Sequence, residues 1–533
     1  MNLRTVSVLW AACASCSLAL HGSSNPLEPI QTVEIRDCAF RVNGKPFIPL
    51  MGWLQDARNF PRLSECGMNT TAGYSSGSSG TRNAAEYLAR IEKAGLYGVM
   101  PFDVALKGQP ALLGYIHDDE PDLPRQVSDA VVEPGPGLRI NSRTPLWKLL
   151  DGDANSWSVL DPMEGARVTI RLGRPVTVAG FGVAVTASAG LARPSEVVFQ
   201  SGGKELLRAV LGSQRGIQKF PLPQAVPLQE LSLQVESVQA GDQVWGSLGE
   251  IEAYDAGGAN VLECRPRYVA RAAPEETMRR YRAVKGGDSS RPLFMTLTGH
   301  FHPFFQRYSD EQRAMYPRYI EAADVVGYDI YPIYGWNKPE WLYLVHDATD
   351  LLVRMAGPRP VYAWIETSKG GQWTGDLARQ KDVRPEHIRA EVWMSICRGA
   401  TAIGYFTHIW KPEYAQFGVP EENVRALRQI NEQITRLTPA ILGQPSPRAA
   451  SIQSIDSVKL DLRARQSSGA LYLFAVNYDE RALETTATIR VEGLAAGHAV
   501  AVVDENRTLP AQDGSFADKF APLAVHIYRI EPR

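Results

Sequence analysis

The chain has 533 residues, too many for one ordinary domain, and its length implies roughly two to four. Hydrophobic residues make up 44% and charged residues 21%, which supplies apolar material for sizeable cores and excludes a disordered chain. Lysine plus arginine is 56 and aspartate plus glutamate is 58, a net charge of −2, so there is no electrostatic case for nucleic acid or an anionic membrane as partner.

Residues 1–23 have one arginine, an apolar stretch and then small residues, the pattern of an export signal cut near Ala19 to Ser23. The apolar run is short for a membrane span. The reading is therefore an exported protein, periplasmic or extracellular, with no stable membrane insertion after signal removal. Cys13 and Cys16 leave lipid anchoring as the alternative. Cys38, Cys66, Cys264 and Cys397 remain after cleavage and lack CxxC spacing, so they read as buried thiols rather than a zinc site.

From Phe47 onward, short apolar runs alternate with helical patterns. Strands are predicted at 47–54, 67–74, 97–104 and 112–120. The alternation stops there and resumes after Pro274. Strands then fall at 292–301, 324–334, 359–367 and 401–410, with helices at 83–95, 274–287, 309–323, 339–357, 384–400 and 421–443. Apolar strands spaced by helices indicate a parallel sheet covered on both faces. Eight such units close into a (β/α)8 TIM barrel. The rival, an open doubly wound sheet, lacks a Gly-rich fingerprint after the first strand.

Residues 123–264 break this pattern. They are rich in valine, glycine and proline and carry short alternating segments such as "ARVTIRLG" and "GEIEAYD", which indicates an inserted all-β sandwich. Residues 446–533 alternate likewise and indicate a C-terminal β-sandwich. The split barrel then comprises 24–122 and 265–445.

"GYIHDDEPD" (114–122) places three carboxylates in a row at the end of the fourth strand. Adjacent carboxylates repel one another and resist burial, so they need a use or plentiful solvent. A solvated acidic loop is the ordinary explanation. The functional one comes from the barrel, whose chemistry sits at the C-terminal ends of its strands. Glu120 ends the fourth strand and Glu366 the seventh. Two carboxyl groups across one pocket are the equipment for cleaving a glycosidic bond, one giving a proton and the other attacking carbon or activating water. Asp119 is placed to bond the sugar or Glu120. Asp329 and Tyr331 share a strand face with Gly327 by period-two parity. Trp410, at the end of the eighth strand, offers a ring for a sugar face, and Trp53 and Trp336 are weaker candidates. His300 and His302 flank Phe301 at the end of strand five, where sugar contact or hydrogen bonding competes with metal ligation. His117 and His408 are further candidates at the mouth.

"GYIHDDEPD" resembles the acid/base motif of clan A glycoside hydrolases, and "VYAWIET" and "ICRGATAIGYFTHIW" resemble strands seven and eight of the same enzymes. The resemblance implies a retaining TIM-barrel hydrolase acting on an oligo- or polysaccharide. Glu120 would be the acid/base, Glu366 the nucleophile, and Tyr331 a hydrogen-bond partner of Glu366, with no cofactor required. Asp119 stands where most of the clan has asparagine. A non-catalytic carbohydrate-binding protein on the same barrel, an inverting hydrolase and a transglycosylase are the alternatives. "LLDGDANSW", "VTIRLGRPVTVAGFGV" and "GEIEAY" resemble a discoidin-like (coagulation factor type C) module, many of which bind carbohydrate. That resemblance implies a structural calcium held by Asp151, Asp153, Ser156 and Glu252.

Overall fold

The computed structural model describes residues 27–127, 130–186, 190–239, 241–262, 267–373 and 377–532. The expected signal segment and Cys264 lie outside them. Contacts divide the chain into two compact units, 1–121 with 272–533, and 122–271.

The first unit holds a closed parallel barrel of eight strands. In chain order they are Leu50–Trp53, Thr70–Ala72, Tyr97–Met100, Leu112–Ile116, Leu293–Thr298, Val325–Asp329, Val361–Glu366 and Ala402–Phe406. Strand eight pairs back onto strand one, Ile403 against Leu50, which closes the ring. Each strand falls within its predicted run and stops earlier, because the C-terminal residues of each run turn into loops. The interior is filled by Met51, Val99, Leu113, Phe294, Tyr362 and Trp364. Gly327 and Gly404 make room for two of these rings: a Cβ at either would overlap Tyr362 or Trp364. The Trp364 indole donates to the Thr296 hydroxyl at 3.1 Å, and that hydroxyl also bonds Tyr362 at 2.8 Å, so these three polar groups satisfy one another inside the barrel.

An N-terminal meander (Val33–Arg36, Ala39–Val42, Lys45–Phe47), which the sequence pattern did not announce, packs Phe40 on Phe294 at 5.7 Å. The helix predicted over 309–323 is broken into Asp310–Arg313 and Tyr316–Glu321, with Pro317 in the first turn of the second piece. Proline cannot donate to the preceding turn, so the helix restarts there. Helix Pro274–Gly287 has its predicted bounds, and helix Pro385–Arg398 ends on Gly399 in the left-handed region. Strands three and four are joined by a short 3-10 turn, Val104–Leu106, rather than an α-helix.

The C-terminal sandwich begins earlier than the predicted residue 446: strand Gln444–Pro445 already pairs with residues 465–466. A six-stranded and a three-stranded sheet enclose Leu473, Ile489, Phe516 and Tyr528. The sandwich is welded to the barrel through helix Pro385–Arg398. Trp393 stacks on Phe474 at 5.6 Å, and Arg398 forms a bidentate pair with Asp461. His346 stacks on Tyr478 at 3.8 Å.

The second unit is an antiparallel β-sandwich whose main sheet has eight strands. Its core gathers Leu160, Ile170, Val183, Val197, Leu233 and Ile251, with Phe181 stacked on Phe199 at 4.3 Å. The insert runs 122–271, further than the expected 123–264, because strand Arg267–Ala270 pairs with Pro124–Val127 and so belongs with it. Among the described residues Cys38, Cys66 and Cys397 are free thiols. No described helix is long and apolar enough to cross a membrane.

Candidate functional site at the barrel mouth

The fourth strand ends at Ile116, and the acidic run follows on its C-terminal side. Its three carboxylates have different surroundings. Asp118 is exposed and ion-paired to Arg280 of the following helix. Asp119 and Glu120 are half-buried, and Glu120 lies in the left-handed region with φ +47°, uncommon for a side chain of its size. His117 is buried, and its Nε2 lies 2.8 Å from the Ala322 carbonyl; it ties the strand end to the helix layer.

Asp329 ends strand six, and Tyr331 follows it, 3% exposed. Burial pushes the Tyr331 phenol well up, and the charges of Asp329, Asp119 and Glu120 push it further. Burial also raises Tyr362 in the barrel floor; the Thr296 hydroxyl works against this, and the charges of Asp119 and Asp329 add to it. The charges of three carboxyl groups from two strand ends therefore reach one tyrosine. Strands four and six are separated by one strand in the ring. At about 4.8 Å per strand spacing their ends stand about 10 Å apart.

Glu366 is not part of this group. It ends strand seven with 0% exposure, and its two oxygens accept the Ile333 N–H at 2.9 and 3.0 Å; one also accepts the Tyr334 N–H. Its neighbour is Glu391, a fully buried residue of helix Pro385–Arg398. Burial raises Glu366, and its hydrogen bonds oppose that rise. Closed to solvent in this way, Glu366 differs from the half-buried Glu120 with which it was expected to pair. Tyr331 does not bond Glu366; the backbone of Ile333 and Tyr334 takes that place. Strand parity was extended to Tyr331, but the strand stops at Asp329, and parity carries no information about how the loop beyond it folds.

The remaining expected residues divide. His300 turns back onto the Thr298 hydroxyl at 3.0 Å and lies against Phe305 and Tyr308; burial, then the charge of Arg307, brings it down to about 4. Among the described residues no three histidine, cysteine or acidic side chains converge as a metal cluster. His408 is buried and bonds the backbone carbonyls of Trp53 at 3.2 Å and Leu54 at 3.0 Å, joining strand eight to strand one. Trp410 is 46% exposed and stacks on Tyr414, itself 52% exposed, at 4.7 Å. Trp53 packs on Trp364 and is barrel filling, while Trp336 lies beside Trp373.

The sequence reading did not single out Trp373, Tyr334, Tyr414 or Phe406. Trp373 is 50% exposed and meets Tyr331 and Tyr334 at 5.9 Å each; Phe406 meets Tyr331 at 4.9 Å. Buried Gln372 ties the two aromatic loops together, accepting the backbone N–H groups of Trp410 at 2.8 Å and Lys411 at 3.0 Å. One wall of the mouth is therefore aromatic and partly exposed, and carboxylates occupy the strand four and six ends. The one signal available in the sequence was the density of tryptophan and tyrosine after strands six to eight.

In the insert, the Ser156 hydroxyl lies 2.9–3.0 Å from Asp151 and from the Lys148 carbonyl. The acidic side chain at this loop is Glu250, not the expected Glu252. Glu250 accepts the Gly152 N–H at 3.1 Å, while Glu252 takes the Tyr254 hydroxyl. Two residues along a strand displace a side chain by about 7 Å, which accounts for the difference. Glu250 is fully buried, its second oxygen has no partner, and burial followed by the charge of Asp151 raises it to about 8. An orphaned buried carboxylate oxygen beside a second carboxylate, a hydroxyl and a carbonyl fits an oxygen-ligated cation. Asp153 instead accepts the Asn155 N–H at 2.9 Å and shapes the turn.

No known protein family matches the chain. No curated protein matches it. Among solved structures, the family 32 carbohydrate-binding module of C. perfringens NanJ in complex with galactose is 9% identical. The match covers 24% of this chain and 98% of that one, with a TM-score of 0.20. The family 32 module of AlyQ in complex with 4,5-unsaturated mannuronic acid is 17% identical over 25% of this chain and 99% of that one, also at 0.20. An Anoxybacillus α-amylase is 11% identical over 49% of this chain and 57% of that one, at 0.35. Likenesses at this level assign neither a family nor an activity. The closed parallel barrel and the inserted sandwich stand on the chain's own geometry.

Proposed function

We propose that this chain is an exported glycoside hydrolase working at the barrel mouth on an oligo- or polysaccharide. The observation that carries the reading is that the charges of Glu120, Asp119 and Asp329 all reach Tyr331, next to a partly exposed aromatic wall. Glu120 donates the proton to the leaving oxygen and then takes one from water. Asp329, from the other strand end, supplies the negative charge that attacks or stabilises the anomeric carbon. Asp119 holds a sugar hydroxyl, and Trp373, Trp410 and Tyr414 offer ring faces to the apolar faces of sugars. No cofactor enters the cleavage. The insert serves as a carbohydrate-binding module, with Asp151, Ser156 and Glu250 as holders of a structural calcium, and export rests on residues 1–23.

A panel of aryl glycosides and polysaccharides, with products followed by proton NMR, tests this reading. Cleavage with the first-formed anomer retained indicates that Asp329 acts as a nucleophile, and Asp329→Ala should then regain turnover with azide. Inversion indicates that Asp329 activates water. A protein that binds glycans but cleaves none of the panel is a binding protein, and the hydrolase reading is then lost.

A further inference from the structure

Glu366 and Glu391 are two fully buried carboxyl groups of the first unit. Both are 0% exposed; burial and the charge of Glu366 raise Glu391, whereas burial raises Glu366 and its hydrogen bond with Glu391 opposes that rise. Glu366 has both oxygens engaged by the backbone N–H groups of Ile333 and Tyr334, whereas Glu391 is engaged by Glu366 alone. Two ionised carboxylates are acceptors only and cannot bond one another; adding one proton removes the repulsion and creates a donor. The proton belongs on Glu391, because the N–H groups of Ile333 and Tyr334 stabilise charge on both oxygens of Glu366, whereas at Glu391 only the Glu366 backbone acts in that direction and burial and the Glu366 charge outweigh it. The other titratable group in the field of Glu391 is Tyr328 of strand six, whose hydroxyl is satisfied by Thr349 and the Val345 carbonyl.

The clasped backbone matters because of what it carries. Ile333 and Tyr334 close the loop that begins at Tyr331, the residue reached by the charges of Asp119, Glu120 and Asp329. Tyr334 packs on Phe406 at 5.2 Å and on Trp373, so the same loop also sets part of the aromatic wall. The Gly371 and Gln372 N–H groups bond the Ile333 and Tyr334 carbonyls at 2.9 and 2.8 Å, which passes the restraint to the next loop.

We infer that Glu366 is a positioning residue: with Glu391 it forms a proton-sharing carboxyl pair that clasps the loop after strand six and holds Tyr331 and Tyr334 in the mouth. The pair acts through the loop and touches no substrate. Its sensitivity to pH has a definite sign. Glu391 binds its proton more tightly folded than unfolded, so the stabilisation is whole below the ordinary carboxyl value of 4.5 and drains away as pH rises through the raised folded value. When both groups are charged, the clasp opens.

Amide hydrogen exchange of the peptide spanning 331–337, measured on the full chain, tests the clasp directly. In Glu366→Gln the Ile333 and Tyr334 amides should exchange at least about tenfold faster while the global melting profile stays cooperative. In the wild type, protection corrected for intrinsic exchange should fall as pH rises. In Glu391→Gln, whose amide donates without ionising, it should stay flat. The kinetic arm rests on the hydrolase reading: kcat of Glu366→Gln should fall by about 10²-fold with KM moving little, as expected for misplacement by about 1 Å. Unchanged exchange in folded Glu366→Gln overturns the inference, and so does the wild-type pH dependence persisting in Glu391→Gln. Rescue of Glu366→Ala by azide with formation of a glycosyl azide overturns it too, since that makes Glu366 a nucleophile. If Glu366→Gln does not fold, the Glu391→Gln profile decides. A wild type inert on every sugar removes the hydrolase reading and leaves both exchange arms standing.

Discussion

A glutamate follows strand four and another ends strand seven, and the fold treats the two in opposite ways. Glu120 sits half-buried among other carboxyl groups at the mouth, on a left-handed backbone that turns the chain into the insert. Glu366 is sealed under a loop, with backbone N–H groups on both oxygens and a second buried carboxyl group beside it. A carboxylate that must meet substrate has to keep an open face. One that holds a loop has to give up that face to hydrogen bonds. The same residue type beyond one strand and at the end of another therefore keeps a partly open face in one place and is closed off by hydrogen bonds in the other.

The largest expected effect separates them by rate. Glu120→Gln should lower kcat by about 10²- to 10⁴-fold, most for substrates with poor leaving groups, while leaving the melting temperature nearly unchanged. Measured kcat across a series of leaving groups checks it, and a uniform loss would argue against proton donation.

Glu366→Ala should reverse that pattern and act first on stability. It strands the two N–H groups of Ile333 and Tyr334 and leaves Glu391 without its partner, each buried unsatisfied group costing about 1–3 kcal/mol. Urea unfolding should therefore show a loss of several kcal/mol, whereas Glu120→Gln shows almost none.

Smaller effects sharpen the picture of the mouth. Trp410→Ala should raise KM severalfold with a lesser change in kcat, since the ring is 46% exposed and available for stacking. His408→Ala, by contrast, removes bonds to the Trp53 and Leu54 carbonyls and should lower stability by about 1–3 kcal/mol. The smallest change belongs to Asp118→Asn. Its pair with Arg280 is exposed on both sides, so the loss should stay within about 1 kcal/mol, with kcat unaltered. A large kinetic effect there would mean that the acidic run works as a unit.

Legibility from sequence followed the same division. All eight barrel strands were readable, because a buried parallel strand is a short apolar run and needs no distant information. Helix Pro274–Gly287 was readable to the residue from its proline start and glycine end. The break at Pro317 was passed over because the apolar periodicity continued across it. Asp329 could be placed at the end of strand six, but Tyr331 lies past that end, where parity no longer applies. The fate of Glu366 could not be read, since it depends on Ile333 and Tyr334, more than 30 residues away, and on Glu391 in a helix that follows. Glu250 and Glu252 differ by one strand repeat, and only the packed loop at Asp151 distinguishes them.

By itself, the order of residues determined the architecture: eight apolar runs spaced by helices, interrupted by 150 residues of sandwich from 122 to 271 and followed by a second β-domain. Local periodicity and capping suffice for that, because they act over a few residues. Which carboxyl groups face solvent, which share a proton and which aromatic rings stand at the mouth was decided only when the barrel closed. Burial and hydrogen bonding are properties of neighbours in space, and the chain assembles those neighbours from segments that periodicity cannot connect.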